Sequence, residues 1–184
     1  MNKSNRIDFK GTVDKYASAI AHLQKSGDCT IVQRGAPRTI VMMCPDGCGE
    51  TIAVNLDPRI GKAWRKYDRT GKLTIYPSVW RDTGCRAHFI VWNDQIIWCN
   101  ANGSAQVNID DSFVEAVYGK LSSETYIHFE AIAENMGAIP WDVLWACNIL
   151  VRRGNAEVVN QSTFKRTGKN FSQKQTTGRI DFRA

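Results

Sequence analysis

Five side chains able to bind a soft metal fall in two short stretches. Cys44 and Cys48 stand in VMMCPDGCGETIAVNL (41–56), and Cys85, His88 and Cys99 in CRAHFIVWNDQIIWC (85–99). Tetrahedral zinc takes four sulfur or nitrogen ligands, commonly two from each of two hairpins. The pattern C-x3-C, a long gap, then C-x2-H supplies that set as Cys44, Cys48, Cys85 and His88. Cys99 is a replacement for His88 or a neighbour of the site. A Rieske-type iron–sulfur cluster needs two histidines, and the first knuckle has none. A catalytic zinc needs an open position and an acid or base. Asp46 and Glu50 are near, but no H-E-x-x-H element exists, so the expected metal is structural Zn2+.

The elements that must position these residues are strands. HFIVWNDQIIWC reads as two apolar strands around Asn93-Asp94, two residues that tolerate positive φ in a tight hairpin. That loop sets Trp92 opposite Gln95, Ile90 opposite Ile97 and His88 opposite Cys99. Val41–Met43 and Thr51–Leu56 read as strands entering and leaving a glycine-relieved turn that carries Cys44 and Cys48. KLTIYPSVW is a strand broken at Pro77. Residues 28–99 are therefore expected to form a small antiparallel β domain cross-linked by zinc.

The C-P-D-G-C-G knuckle, the P-S-V-W element and the C-R-A-H-F…W-C hairpin together resemble an uncharacterised bacterial family of unknown function. The resemblance runs from about Gly27 to Cys99, and with the helical extension to about Val159. It implies a zinc-binding, Rieske-like or zinc-ribbon-like β domain that carries Cys44, Cys48, Cys85, His88 and Cys99. It also implies a setting beside bacterial ubiquitin-like conjugation genes, with E1-, E2-, JAB-peptidase-like and ubiquitin-like proteins. A role in such conjugation or in phage defence follows from that setting.

Around this centre the chain divides by composition. VDKYASAIAHLQKSG places Tyr16, Ala19, Ile20 and Leu23 at helical spacing, with Gly27 as the expected C-cap, so residues 1–27 are taken as an N-terminal helical segment. NANGSAQVN makes 100–109 a linker. Helical patterns follow in DDSFVEAVYGKL, HFEAIAENMG and WDVLWACNILVRRG, then a short strand pair in NAEVVN and QSTFKR. Residues 110–166 resemble a winged helix-turn-helix. Residues 167–184 are expected to be a basic, flexible tail. The expected class is α+β: a β-rich zinc domain with an N-terminal helix, then a winged-helix-like module.

A winged helix usually implies DNA. Its last helix here is too apolar to read bases, which requires Arg, Lys, Asn or Gln along the exposed side. Trp141 and Trp145 on it are instead expected as hot spots for a protein partner, since tryptophan is enriched at such sites. That partner would be a ubiquitin-like protein or an E1- or E2-like enzyme. The expected function is thus a non-enzymatic zinc-binding adaptor.

Charge keeps a nucleic-acid alternative open. The net charge is +6, and the last 21 residues hold six Lys/Arg against one Asp. The stretch 57–72 holds six more against Asp57 and Asp68. The candidate phosphate contacts are Arg59, Lys62, Arg65, Lys66, Arg152, Arg153, Lys165 and Arg166. A third possibility is a thiol-dependent conjugation enzyme using Cys99, which requires an exposed thiol of lowered pKa. With 43% apolar and 10% aromatic residues the chain can build a real core. It shows no secretory h-region and no run of about 18 apolar residues, so a cytoplasmic location is expected.

Overall fold

The computed structural model describes residues 2–69, 71–99, 104–106, 108–168, 171 and 179–181. The chain is α+β and divides into two units, Met1–Gly103 with Phe182–Ala184, and Ser104–Asp181.

The first unit holds β1 (Asp8–Val13), α1 (Tyr16–Ala21), β2 (Asp28–Arg34), β3 (Ala36–Met43), β4 (Thr51–Asn55), a 3-10 turn at Pro58–Ile60, β5 (Arg65–Arg69), β6 (Lys72–Trp80), β7 (His88–Trp92) and β8 (Gln95–Trp98). These strands make two four-stranded sheets, ordered β1-β2-β3-β4 and β5-β6-β7-β8. Alternation explains why both sheets share one core. Ile31, Ile40, Met42, Ile52 and Val54 from the first sheet cluster with Leu73, Ile75, Val79, Phe89, Val91, Ile96 and Trp98 from the second. Successive side chains point to opposite faces, so Val32 and Val41 fall on the outer face of the first sheet. There they meet Ala19 and Leu23 from α1 and the residues after it.

The N-terminal segment departs from expectation. Only six residues of it are helical, and Asp8–Val13 is a strand parallel to β2. A parallel pair needs a crossover of a dozen or more residues, and α1 with its flanks supplies it. Gly27 is not the cap of α1, which ends at His22. It sits instead where the chain enters β2, with φ +89°. There its N–H donates to Met43 O (3.1 Å) and its carbonyl accepts from Asp8 N–H (2.8 Å). Ahead of β1 the chain stitches the sheets together. Ser4 N–H donates to Pro45 O (2.7 Å), and Ile96 N–H donates to Asn5 O (2.8 Å). The basic stretch 57–72 contains β5.

Apart from the parallel β1–β2 pair, the strands of both sheets pair antiparallel, as expected, and the β7–β8 hairpin has the expected register. Trp92 pairs with Gln95 and Ile90 with Ile97. Asn93 and Asp94 both adopt positive φ, 49° and 63°.

The second unit contains β9 (Ser104–Gln106), α2 (Asp111–Lys120), β10 (Ile127–His128), α3 (Phe129–Met136), α4 (Pro140–Arg152), β11 (Ala156–Val159), β12 (Thr163–Arg166) and β13 (Arg179–Asp181). β10, β12 and β11 form one sheet in that order, and β13 pairs with β9. Caps mark the helices. Asp110 accepts from Ser112 N–H before α2, Pro140 opens α4, and Gly137 ends α3 in the left-handed conformation. Part of the expected linker and of the expected tail therefore pair as strands, while most of 167–184 lies outside the described residues. No helix among the described residues is long and apolar enough to cross a membrane.

Candidate functional site

Two features meet at one end of the first unit: a cluster of thiols and a serine–histidine pair. The loop between β6 and β7 joins them.

Cys44 follows β3 directly, and Cys48 lies in the turn that leads to β4. Cys44 N–H donates to Glu50 O (2.8 Å) and Gly47 N–H to Cys44 O (3.2 Å), which folds the knuckle back on itself. Cys85 arrives from the other sheet. The sulfurs of Cys44, Cys48 and Cys85 all lie within 4.8 Å of one another. Cys44 Sγ and Cys85 Sγ are 3.6 Å apart. Tetrahedral zinc with Zn–S near 2.3 Å separates its sulfurs by about 3.8 Å, so the spacing fits a metal. These three cysteines could hold one.

A cation already borders the thiols. Arg81 Nη1 lies 3.5 Å from Cys48 Sγ and 3.6 Å from Cys85 Sγ. Its Nη2 bonds the Glu50 carboxylate. Burial pushes the Cys44 thiol up to about 12, reinforced by hydrogen bonds from its two sister thiols and opposed by the Asp46 backbone. Burial also raises Cys48, but the Glu50 backbone N–H, the two neighbouring thiols and the Arg81 charge outweigh it and leave Cys48 below the ordinary thiol range. The Glu50 hydrogen bond raises Arg81 against the opposing effect of burial. The cluster thus favours negative charge at its exposed sulfur.

His88, the expected fourth ligand, is not one of this trio. Its Nε2 lies 3.1 Å from Ser78 Oγ. The register explains the meeting. His88 is directly opposite Trp80 across β6 and β7. Ser78 precedes Trp80 by two residues and shares its face, so it is the diagonal neighbour of His88. The pairing slips between Ile75 and Val79, where three residues of β6, Tyr76 to Ser78, fall opposite one of β7, Ile90. Such irregularities re-aim side chains and bend the strand. Ser78 sits inside that slip.

Both partners are held. Trp64 Nε1 donates to Ser78 O (3.1 Å). Cys99 N–H donates to His88 O (3.0 Å), and Arg81 N–H donates to Ala87 O (2.9 Å), closing the loop that carries Cys85. The Trp80 ring lies 6.0 Å from that of His88, and Trp80 is 67% exposed. With the imidazole proton on Nδ1, the serine hydroxyl donates to Nε2. A base can take the serine proton from this arrangement.

The remaining candidates separate. Cys99 is buried, and burial pushes its thiol up to about 11. A thiol nucleophile requires the opposite, an exposed thiol of lowered pKa. Trp141 and Trp145 are 7% and 0% exposed. α4 is packed against α2, α3 and β11, so neither ring is offered as a hot spot. Several basic candidates are spent internally. Arg153 pairs with Asp111 (2.6 Å), Arg59 with Asp57 (2.8 Å) and Lys165 with Glu157 (3.7 Å). The Arg65 guanidinium lies over the Tyr76 ring and that of Arg166 over Tyr118. Lys62 and Arg152 are exposed, and Lys66 is half-buried.

A comparison with protein families now bears on the pair. A family model described as "Bacterial ubiquitination-like system serine protease (BubE)" matches residues 16–99. The match covers less than half of the chain and contains Ser78, His88 and all three clustered cysteines. No curated protein and no solved structure matches the chain. The family description agrees with the expected ubiquitin-like conjugation setting. It also names a serine-protease chemistry, which the residue patterns did not suggest. YPSVW carries no nucleophile motif, and only the cross-strand register brings its serine to His88.

Proposed function

We propose that the chain is a serine hydrolase acting on protein conjugates or precursors in a bacterial ubiquitination-like system. The observation that carries this reading is the 3.1 Å contact between Ser78 Oγ and His88 Nε2. In the reaction, Ser78 Oγ attacks an acyl carbon while His88 Nε2 takes its proton. The protonated imidazole then delivers that proton to the leaving amine or hydroxyl. Water repeats the sequence on the acyl-serine and frees the acid.

Cys44, Cys48 and Cys85 supply three of the four ligands that a structural Zn2+ takes, and a metal held there would be structural. It would tie the β3–β4 turn to the β6–β7 loop, three residues ahead of His88, and so fix the base. The two knuckles are what a zinc-ribbon-like or Rieske-like reading rests on. Because His88 Nε2 faces serine, we assign His88 to the reaction rather than to the metal.

For residues 110–166, the order α2, β10, α3, α4, β11, β12 supports a winged-helix arrangement. The helix in the base-reading position, α4, buries ten of its 13 residues. The module is therefore read as a packing element rather than a reader of DNA.

The adaptor reading remains a second proposal. It is favoured by Trp80, an exposed aromatic of the kind that anchors protein partners. The two readings part on one test: a ubiquitin-like protein conjugated or extended at its C-terminus is incubated with the wild type and with Ser78→Ala. The hydrolase reading expects cleavage by the wild type alone. Binding without cleavage by either would leave the adaptor.

A further inference from the structure

Trp64, which donates to Ser78 O, also lines an open cleft of about 730 Å3. Its walls include Pro37, Leu56 and Trp64, and its rim carries Arg59, Arg65 and Lys66. Three consecutive residues of β5, Arg65 to Tyr67, border it. Successive side chains of a strand point to opposite faces, so β5 presents its edge to the cleft. β5 is also the edge strand of its sheet.

The charge of the cleft is one-sided. Its acidic side chain is Asp57, already shared by Arg38 Nη1 (2.5 Å) and Arg59 Nη2 (2.8 Å). Arg65 and Lys66 add two further cations, with no second carboxylate among the described residues of the lining. The wall also leads to the nucleophile. Trp64 lines the cleft and donates its Nε1 hydrogen to Ser78 O. Arg65 pairs with Tyr76, two residues before Ser78.

We propose that this cleft binds an extended peptide segment of the protein substrate, alternating acidic with apolar side chains, and leads it to Ser78. The proposal rests on the hydrolase reading. An edge strand accepts an extended peptide by adding it to the sheet, with pockets reading alternate side chains. The apolar residues of such a segment fit against Pro37, Leu56 and Trp64. Its carboxylates meet Lys66 and Arg65, whose guanidinium keeps its charge over the Tyr76 ring, while Arg59 stays with Asp57. A nucleic acid, which would stack on Trp64 or Tyr67, is the competing occupant that the oligonucleotide probe tests.

The test uses the full chain and three fluorescein-labelled probes: an octapeptide alternating Glu with Val, its Lys/Val counterpart, and a single-stranded octanucleotide. Fluorescence anisotropy is read on the wild type, Arg65→Glu, Lys66→Glu and Ser78→Ala, with thermal melting to confirm folding. The acidic peptide is expected to bind at least tenfold more tightly than the basic one. Each charge reversal is expected to weaken it severalfold, and Ser78→Ala is expected to keep it. Equal binding of the two peptides, indifference to both reversals, or preference for the oligonucleotide would overturn the proposal. Ser78-dependent hydrolysis is measured separately. Acidic-peptide binding without such hydrolysis keeps the cleft and sinks the hydrolase reading. Hydrolysis without charge-selective binding does the reverse.

Discussion

Replacing Gly27 by alanine should unsettle both the fold of the first unit and its thiol cluster. Gly27 has φ +89°, a conformation that costs an L-residue about 1–2 kcal/mol. The added Cβ would lie 2.4 Å from Arg6 O and 2.8 Å from Ser4 Oγ. Ordinary contacts of that kind begin near 3.4 Å, so the backbone of the N-terminal arm must move by about an ångström. Overpacking of this sort adds about 1–3 kcal/mol. Together the terms give about 2–5 kcal/mol, which lowers the melting temperature by at least about 10 °C in a unit of this size. The arm that moves also bonds Pro45, and Gly27 itself bonds Met43. Both carbonyls flank Cys44, so metal retention should fall along with stability. Urea denaturation and zinc analysis after dialysis read the two effects. A variant within about 0.5 kcal/mol of wild type, with full zinc, would refute the reasoning.

Other substitutions probe separate links. Cys85→Ser should lower zinc content from about one per chain toward zero and should loosen the loop 81–87; a variant that keeps its zinc would remove Cys85 from the site. Burial pushes the Cys29 and Cys147 thiols up to about 12, so at pH 8 only about one in ten thousand of each is thiolate. Both should ignore a thiol reagent in the native protein and react once urea exposes them. Reaction of either at the rate of a free thiol would contradict the packing. Trp145→Ala should cost about 3–5 kcal/mol because the ring is fully buried. Trp80→Ala should change stability by no more than about 0.5 kcal/mol while reducing turnover through the ring lost beside His88. Equal melting temperatures for these two variants would mean that their burial has been misassigned.

Much of the architecture could be read from local patterns. The β7–β8 hairpin followed from Asn93-Asp94 and the alternation around it. α2, α3 and α4 followed from Asp110, Gly137 and Pro140, because caps and turns act on their own neighbours. The convergence of Cys44, Cys48 and Cys85 followed from the ligand types and spacing. What escaped was set by contacts far apart in the chain. β1 looked like a helical approach because its partner β2 lies across a crossover, and DFKGTV alone carries only a weak strand signal. Gly27 looked like a helix cap because a glycine after a helical pattern usually is one. Its actual role depends on Arg6 and Met43. Trp141 and Trp145 looked like a partner surface because an apolar helix does not name what covers it. Ser78 was invisible for the same kind of reason. Its pairing with His88 depends on a slip in the β6–β7 register, and His88 already had a plausible role as a ligand after Cys85.

The central claim is that His88 activates Ser78. The most direct measurement is labelling of the native protein with a fluorophosphonate, followed by peptide mass spectrometry. The account predicts one adduct, on Ser78, formed by the wild type and lost or strongly slowed in His88→Ala at unchanged folded content. No adduct on Ser78, or labelling that proceeds equally in His88→Ala, would contradict it.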